Sequence, residues 1–247
     1  MALIESFEKS GNFLFKYRGH LPLILFLFAI PIAFCTPYGE IEKIEFVRPS
    51  IWIISLLFVF VGHLFRILTI GRRHMQSSGR NRSHQVAKEL NTTGPYSMVR
   101  HPLYLGNGLI WMGLVCFLEN SWFIVIFILI FWLYYERIMF AEERFLERQF
   151  GEKFKQWSAR VPAFIPGFRN RIPSNCSFSW RIVFKNEYPG WISSMTTVLF
   201  LLILKKSVIN HKIELNTNDA YFALFILIFG LTFKGIKKFT NLFNPMD

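Results

Sequence analysis

Residues 94–108 read Gly94-Pro95-Tyr96-Ser97-Met98-Val99-Arg100-His101-Pro102-Leu103-Tyr104-Leu105-Gly106-Asn107-Gly108, a polar stretch punctuated by Gly and Pro that runs straight into an apolar block. Gly94-Pro95 is a turn signal. Pro102 suits the first turn of a helix, where a missing backbone N–H removes no bond. Arg100 and His101 are therefore expected where a loop becomes a membrane helix, beside the N–H groups of the helix start. Such a place can hold an anionic group. Tyr104 and Gly108 are four apart and share a helix face. Gly106 and Gly108 permit close approach of a flat ligand or a second helix. Taken by itself the stretch also fits a plain membrane-interface helix start, with Arg and Tyr at the headgroups and glycines packing helices.

Outward from this stretch, the composition excludes a soluble domain. Of 247 residues, 52% are hydrophobic and 18% aromatic, with 29 Phe. The apolar residues come in blocks, which indicates an integral membrane protein. The formal charge of +12 would suggest nucleic acid in a soluble chain. Here Lys and Arg sit between apolar blocks, so membrane topology and anionic headgroups account for them, and no nucleic-acid partner is expected. Cys35, Cys116 and Cys176 form no CxxC and have no metal-ligand spacing. Neither a metal site nor a disulfide framework is expected, and Cys35 and Cys116 read as packing residues.

The expected fold class is all-α, a polytopic integral membrane protein with about six transmembrane helices. The spans read Leu21–Gly39, Pro49–Phe65, Pro102–Leu118, Asn120–Tyr135, Tyr188–Leu204 and Ala220–Phe233. A signal peptide competes for the first, but its polar leader is long and no small-residue cleavage site follows. Residues 1–19 read as a mixed polar start, and 40–48 as an acidic connection. Arg66, Arg72, Arg73, His74, Arg80, Arg82, Lys88 and Arg100 make a basic connection, cytoplasmic by the positive-inside rule. Residues 136–166 read as a charged amphipathic helix interrupted at Gly151 and ended at Val161-Pro162, and residues 167–187 as a basic loop. Both termini and both basic segments then face the cytoplasm. Three smaller readings accompany this. His63 packs or lines a polar cavity, Tyr188-Pro189-Gly190-Trp191 is a turn with an interface anchor, and Lys205-Lys206 sits against the charge rule.

A second polar constellation follows the central hairpin: Glu136, Arg137, Glu142, Glu143, Arg144, Glu147 and Arg148. Glu136 and Glu143 are seven apart and share a face. Exposed Glu–Arg pairs contribute only a few tenths of a kcal/mol. A carboxylate just beyond a membrane span, however, needs a partner or a function. Ribose hydroxyls or an ammonium group suit a Glu, and a carboxylate or phosphate suits Arg100.

The order Thr93-Gly94-Pro95-Tyr96, Arg100-His101-Pro102-Leu103-Tyr104-Leu105-Gly106, a hairpin, then Glu136-Arg137-Ile138, Glu142-Glu143, Leu146, Phe150-Gly151, Phe154, Trp157, Val161-Pro162 and Ile165-Pro166 resembles the isoprenylcysteine carboxyl methyltransferase family. It is similar, more distantly, to phospholipid methyltransferases. The resemblance covers about residues 90–166. It implies S-adenosylmethionine as methyl donor, held in a cytoplasmic pocket, and an amphiphilic lipid or lipid-linked acceptor entering from the bilayer. It assigns Arg100, His101, Pro102, Tyr104 and Gly106 to the first cofactor-binding segment and Glu142 and Glu143 to the second, with Tyr96 and Glu136 as neighbours. Arg100, His101 and Glu142 are the candidate catalytic residues. Residues 1–89 then form N-terminal membrane helices with a basic loop, 90–166 the methyltransferase core, and 167–247 an extension with two further helices. Trp157 stands where Tyr is usual in the family.

Methyl transfer from a sulfonium is an in-line displacement that needs alignment and exclusion of water. An anionic acceptor requires no general base, whereas an amine does, and His101 or a Glu would supply it. The expected reaction is O-methylation of an anionic lipid-linked group, a prenylcysteine-like carboxylate or a phosphate such as that of lipid A, at a bacterial inner membrane with the site facing the cytoplasm. N-methylation of an aminophospholipid is the alternative. An NADPH-dependent sterol-type membrane reductase and a non-enzymatic scaffold are further readings.

Overall fold

The computed structural model describes residues 2–19, 21–38, 47–72, 85, 87–169, 171–240 and 242. The residues expected at 39–46, together with Arg73, His74, Arg80 and Arg82 of the basic connection, lie outside the described residues. Every regular element among the described residues is helical: α1 (Leu3–Tyr17), α2 (Leu21–Cys35), α3 (Val47–Gly71), a 3-10 turn (Gly94–Ser97), α4 (Pro102–Cys116), α5 (Ser121–Phe150), α6 (Glu152–Ser158), α7 (Trp180–Ile209) and α8 (Thr217–Phe239).

Four of these, α3 from Pro49, α5, α7 and α8, are long and apolar enough to cross a membrane. The other two expected spans are the 15-residue helices α2 and α4. At 1.5 Å per residue each reaches about 22 Å, short of a hydrocarbon core of about 30 Å. The apolar run of the third span continues to Leu118, but Phe117 and Leu118 leave the helix and are buried in the turn before α5.

Small residues hold α3 and α4 together in antiparallel contact. A Cβ on Gly113 would lie 2.4 Å from the Ser55 carbonyl oxygen and 2.8 Å from Val59 Cγ2. One on Gly62 would lie 2.7 Å from the Gly106 oxygen. Without water to drive helices together, such close backbone packing supplies the attraction between membrane helices. On its other side α4 meets α5, whose Phe123, Phe127, Phe131 and Tyr135 recur at four-residue spacing and are all buried. Cys35, read as a packing residue, is exposed, and all three cysteines are free.

Three segments differ from the sequence reading. The polar start is an amphipathic helix, α1, laid along the outer half of α5. Gly11 abuts the Arg137 backbone and Ala141, the Arg137 guanidinium lies 4.3 Å from the Phe7 ring centre, and Glu8 pairs with Arg148 at 2.5 Å. Its apolar positions Phe7, Gly11 and Phe15 are interleaved with charges, which masks the stripe. The fourth span and the amphipathic helix are one continuous α5, ending at Gly151 with φ 53°. Finally, α7 begins at Trp180, so residues 180–187 are helical rather than loop, and the expected Tyr188–Trp191 turn lies inside it with Pro189. A proline persists in a membrane helix because neighbouring groups absorb the lost bond.

Lys205 and Lys206, which sat against the charge rule, are each neutralised. The Lys205 ammonium lies 2.5 Å from Glu119, with both side chains almost fully buried, and Lys206 pairs with Asp219 at 2.5 Å.

The Gly113 contact generates the first prediction. Gly113→Val should destabilise the detergent-solubilised protein by at least about 2 kcal/mol, because the added carbons meet α3 backbone. Gly190→Ala, where nothing lies within 4 Å of the new carbon, should leave the unfolding midpoint unchanged or raise it.

Candidate functional site

The loop before α4 is tied down by backbone bonds. Gly94 turns with φ 62°, and the Ser97 hydroxyl donates to the Gly94 carbonyl at 2.7 Å and accepts from Ile172 N at 2.9 Å. Residues 98–101 run beside 162–167: Arg100 N donates to Pro162 O at 2.9 Å, His101 N to Ala163 O at 3.2 Å and Gly167 N to Met98 O at 2.8 Å. Trp157 on α6 donates from its indole to Tyr96 O at 3.1 Å. The amphipathic spacing seen in the sequence closes this side, since Leu90, Phe154, Trp157 and Val161 cluster with Tyr96, Leu146 and Phe150.

This scaffold places the Arg100 and His101 side chains against α5. Glu143 Oε1 accepts from Arg100 Nε at 2.9 Å and from His101 Nε2 at 2.8 Å. His101 Nδ1 lies 3.6 Å from Glu142 Oε2. Arg100 Nη1 also donates to Ser158 O at 2.7 Å. His101 is buried, while the Glu142 and Glu143 side chains are 26% and 25% exposed, so one edge of the cluster faces out. Burial opposes the imidazolium, but the Glu142 and Glu143 carboxylates outweigh it and raise the His101 pKa above its ordinary value. With His101 charged, two cations face two carboxylates and the cluster is neutral.

The other candidates take different places. Pro102 is fully buried in the first turn of α4. Tyr104 is buried between His101, on which it stacks with ring centres 5.7 Å apart, and Tyr135, against which it packs tilted at 4.9 Å. Gly106 points the other way, because two residues turn a helix by about 200°. A Cβ there would meet Arg66 Cγ at 2.5 Å, so its close neighbour is a helix. Gly108, on the Tyr104 face, abuts Phe131. Tyr96 sits on the 3-10 turn among the packing residues named above. Glu136 is half-buried on the Glu143 face of α5, and no side-chain bond ties it into the cluster.

Sequence reasoning missed a polar tie beneath the cluster. Arg66 donates from Nε and Nη2 to the two Glu187 oxygens, both at 2.7 Å. Its Nη1 donates to Asn107 Oδ1 at 2.5 Å, and Asn107 Nδ2 donates to the Tyr135 hydroxyl at 3.3 Å. His63 Nε2 lies 2.9 Å from Ser194 Oγ. Arg66 had marked the end of a span and Glu187 the end of a loop. The signal lay in their opposite charges at the margins of two apolar runs. Among the described residues, no three His, Cys, Asp or Glu side chains are grouped as a metal site.

The helices and the charged cluster at one end of them define a polytopic membrane protein whose polar residues converge on a built site. Residues 50–153, under half of the chain, match the phospholipid methyltransferase family model. It is 39% identical over 116 residues to a nickel-cobalt-cadmium resistance protein of Alcaligenes xylosoxydans xylosoxydans, covering 46% of this chain and 52% of the relative. It is 33% identical over 124 residues to protein-S-isoprenylcysteine O-methyltransferase B of Arabidopsis thaliana, covering 47% and 60%. It is 32% identical over 93 residues to the protein-S-isoprenylcysteine O-methyltransferase of Schizosaccharomyces pombe, covering 38% of each. The chain thus spans about half the length of the curated relatives it matches. No solved structure matches it.

A raised histidine pKa makes stability depend on pH with a definite sign. The contribution of His101 is complete below the unfolded-histidine value, 6.5, and is lost as pH climbs through the higher folded value. The thermal midpoint of the purified protein should therefore fall as pH rises through that window, and His101→Gln should flatten the dependence. A midpoint that rises there in the wild type would contradict a charged His101.

Proposed function

We propose that this chain is an S-adenosylmethionine-dependent methyltransferase that O-methylates an anionic group carried on a lipid at the membrane surface. The observation that carries the reading is the cluster itself: Arg100 and His101 at the mouth of α4, locked onto Glu142 and Glu143 of α5, inside the region that matches the family model. Several relatives are named for O-methylation of isoprenylcysteine, which supports a carboxylate acceptor; a lipid phosphate such as that of lipid A has the same chemistry.

The donor set fits the cofactor. S-adenosylmethionine presents ribose hydroxyls and an ammonium as donors and a carboxylate as acceptor. Glu142 faces His101 Nδ1 at 3.6 Å and the Tyr104 hydroxyl, and is a quarter exposed, so its carboxylate can also accept from hydroxyls or an ammonium. Arg100 Nη2 is not used by Glu143 or Ser158 and can meet a carboxylate. Glu143 is committed to Arg100 and His101 and acts as their anchor. When bound, the cofactor supplies an electrophilic methyl group. The chain's own residues orient the two reactants and exclude water, with the Tyr104 and Tyr135 rings forming the floor. A protonated His101 between two carboxylates is a poor proton acceptor, which favours an acceptor that is already anionic over an amine.

We read the site end as cytoplasmic. Arg72, Lys234, Lys237 and Lys238 lie at the same end as the cluster, whereas Lys205 and Lys206 at the other end are neutralised by Glu119 and Asp219. We also read α2 and α4 as short membrane segments completing a six-helix bundle in a bacterial inner membrane.

Titration calorimetry tests the site. His101→Ala and Glu142→Ala should each weaken S-adenosylmethionine binding at least about tenfold, since each removes a charged hydrogen-bonding partner. Lys155→Ala, on the exposed side of α6, should bind as wild type. Unchanged affinity in Glu142→Ala would remove the assignment. Mass analysis of lipids from cells with and without the protein tests the reaction. A base-labile methyl ester or phosphoester is expected; a methylated amine would replace O- by N-methylation.

A further inference from the structure

The C-terminal helix α7 lies outside the family match at 50–153, yet one of its side chains is bonded into the middle of the matched region. Glu187 has no exposed side-chain surface, and it takes both arms of the Arg66 fork. A carboxylate and a guanidinium withdrawn from water inside a membrane bundle are costly, and an apolar pair of the same volume would hold two helices together at least as well. The arrangement has a directional consequence that an apolar pair lacks. With Nε and Nη2 spent on Glu187, Nη1 of Arg66 donates to Asn107 Oδ1. That fixes which way round the Asn107 amide lies, so its NH2 group is turned to the Tyr135 hydroxyl. Tyr135 packs tilted against Tyr104, ring centres 4.9 Å apart, and Tyr104 stacks on His101 at an interplanar angle of 18°. The stem of Arg66 can approach only because Gly106 carries no side chain. A continuous series of contacts therefore runs from α7 to the imidazole between the two glutamates.

We infer that Glu187 is a positioning residue of the candidate site, orienting His101 through Arg66, Asn107 and the Tyr135–Tyr104 pair, so that the C-terminal helices complete a site otherwise built by the matched region. The inference rests on the methyltransferase reading proposed above. Displacement of a reacting group by about 1 Å through a distant change costs up to about a hundredfold in rate, which sets the scale of the effect.

The experiment uses the full chain in detergent with S-adenosylmethionine as the probe, reading binding by calorimetry and folding by thermal midpoint. Glu187→Gln and Asn107→Ala should each weaken binding about tenfold, and the double variant should be no worse than the weaker single, because both break the same series. Arg66→Met with Glu187→Met separates positioning from folding. The thermal midpoint should return towards wild type, as apolar replacements of buried pairs do, while binding stays weak. Binding that recovers together with the midpoint, fully additive losses, or wild-type binding by Glu187→Gln would each overturn the inference and leave the methyltransferase reading standing. A wild-type chain that does not bind S-adenosylmethionine would overturn both.

Discussion

One carboxylate oxygen, Glu143 Oε1, accepts from both Arg100 and His101. The rest of the site depends on that shared acceptor. It ties the loop entering α4 to a helix reached only after the α4–α5 hairpin, and so converts two separate polar stretches into one object. Without it, Arg100 and His101 would be interfacial cations with freedom to follow solvent. With it, His101 is held between two acids, which keep it charged to a higher pH than an ordinary histidine. The backbone pairing of residues 98–101 with 162–167 works in the same direction, because it fixes the main chain from which both side chains project.

Beneath this cluster the bundle manages its charges in pairs. Arg66 meets Glu187, Lys205 meets Glu119 and Lys206 meets Asp219, each at 2.7 Å or less. Helix α7 supplies one member of every pair; α3 and the turn before α5 supply the partners of Glu187 and Lys205, and α8 that of Lys206. Helix α7 is therefore joined to the region matched at 50–153 by electrostatics as well as by apolar contact, at both of its ends, and α8 is joined to α7. Removing a single member would leave the other buried and uncompensated, which is far worse for a fold than never having had the pair.

Those same pairs explain what the sequence could and could not reveal. The meeting of His101 with Glu142 and Glu143 was legible, because two motifs in fixed order flank a hairpin, and a hairpin returns its ends to the same side. The break at Gly151 was legible from glycine itself. The extent of α3 and α7 was not. Hydropathy reading stops a span at a charge, so α3 was cut at Arg66 and α7 was begun after Glu187. A charge ends a membrane helix only when it lacks a partner, and the partner here is 121 residues away. Gly106 shows the same limit at one residue: small size announced a close approach, but the direction, towards Arg66 rather than the cluster, comes from helix phase and neighbours. The amphipathic α1 was hidden because its apolar stripe is narrow and split by Lys9, Ser10 and Asn12.

The position of α1 bears on how the chain is made. The groups that receive it, the Tyr134 hydroxyl bonding Leu14 O and Arg148 bonding Glu8, are 120 and 140 residues further along. At a ribosomal pace of roughly 5–20 residues per second, this first helix waits for several seconds before its seat exists. An amphipathic segment bearing Phe7 and Phe15 on one face and lysines on the other can rest meanwhile on the lipid surface. It can dock only once the central hairpin has been made, so its seating follows that hairpin rather than preceding it.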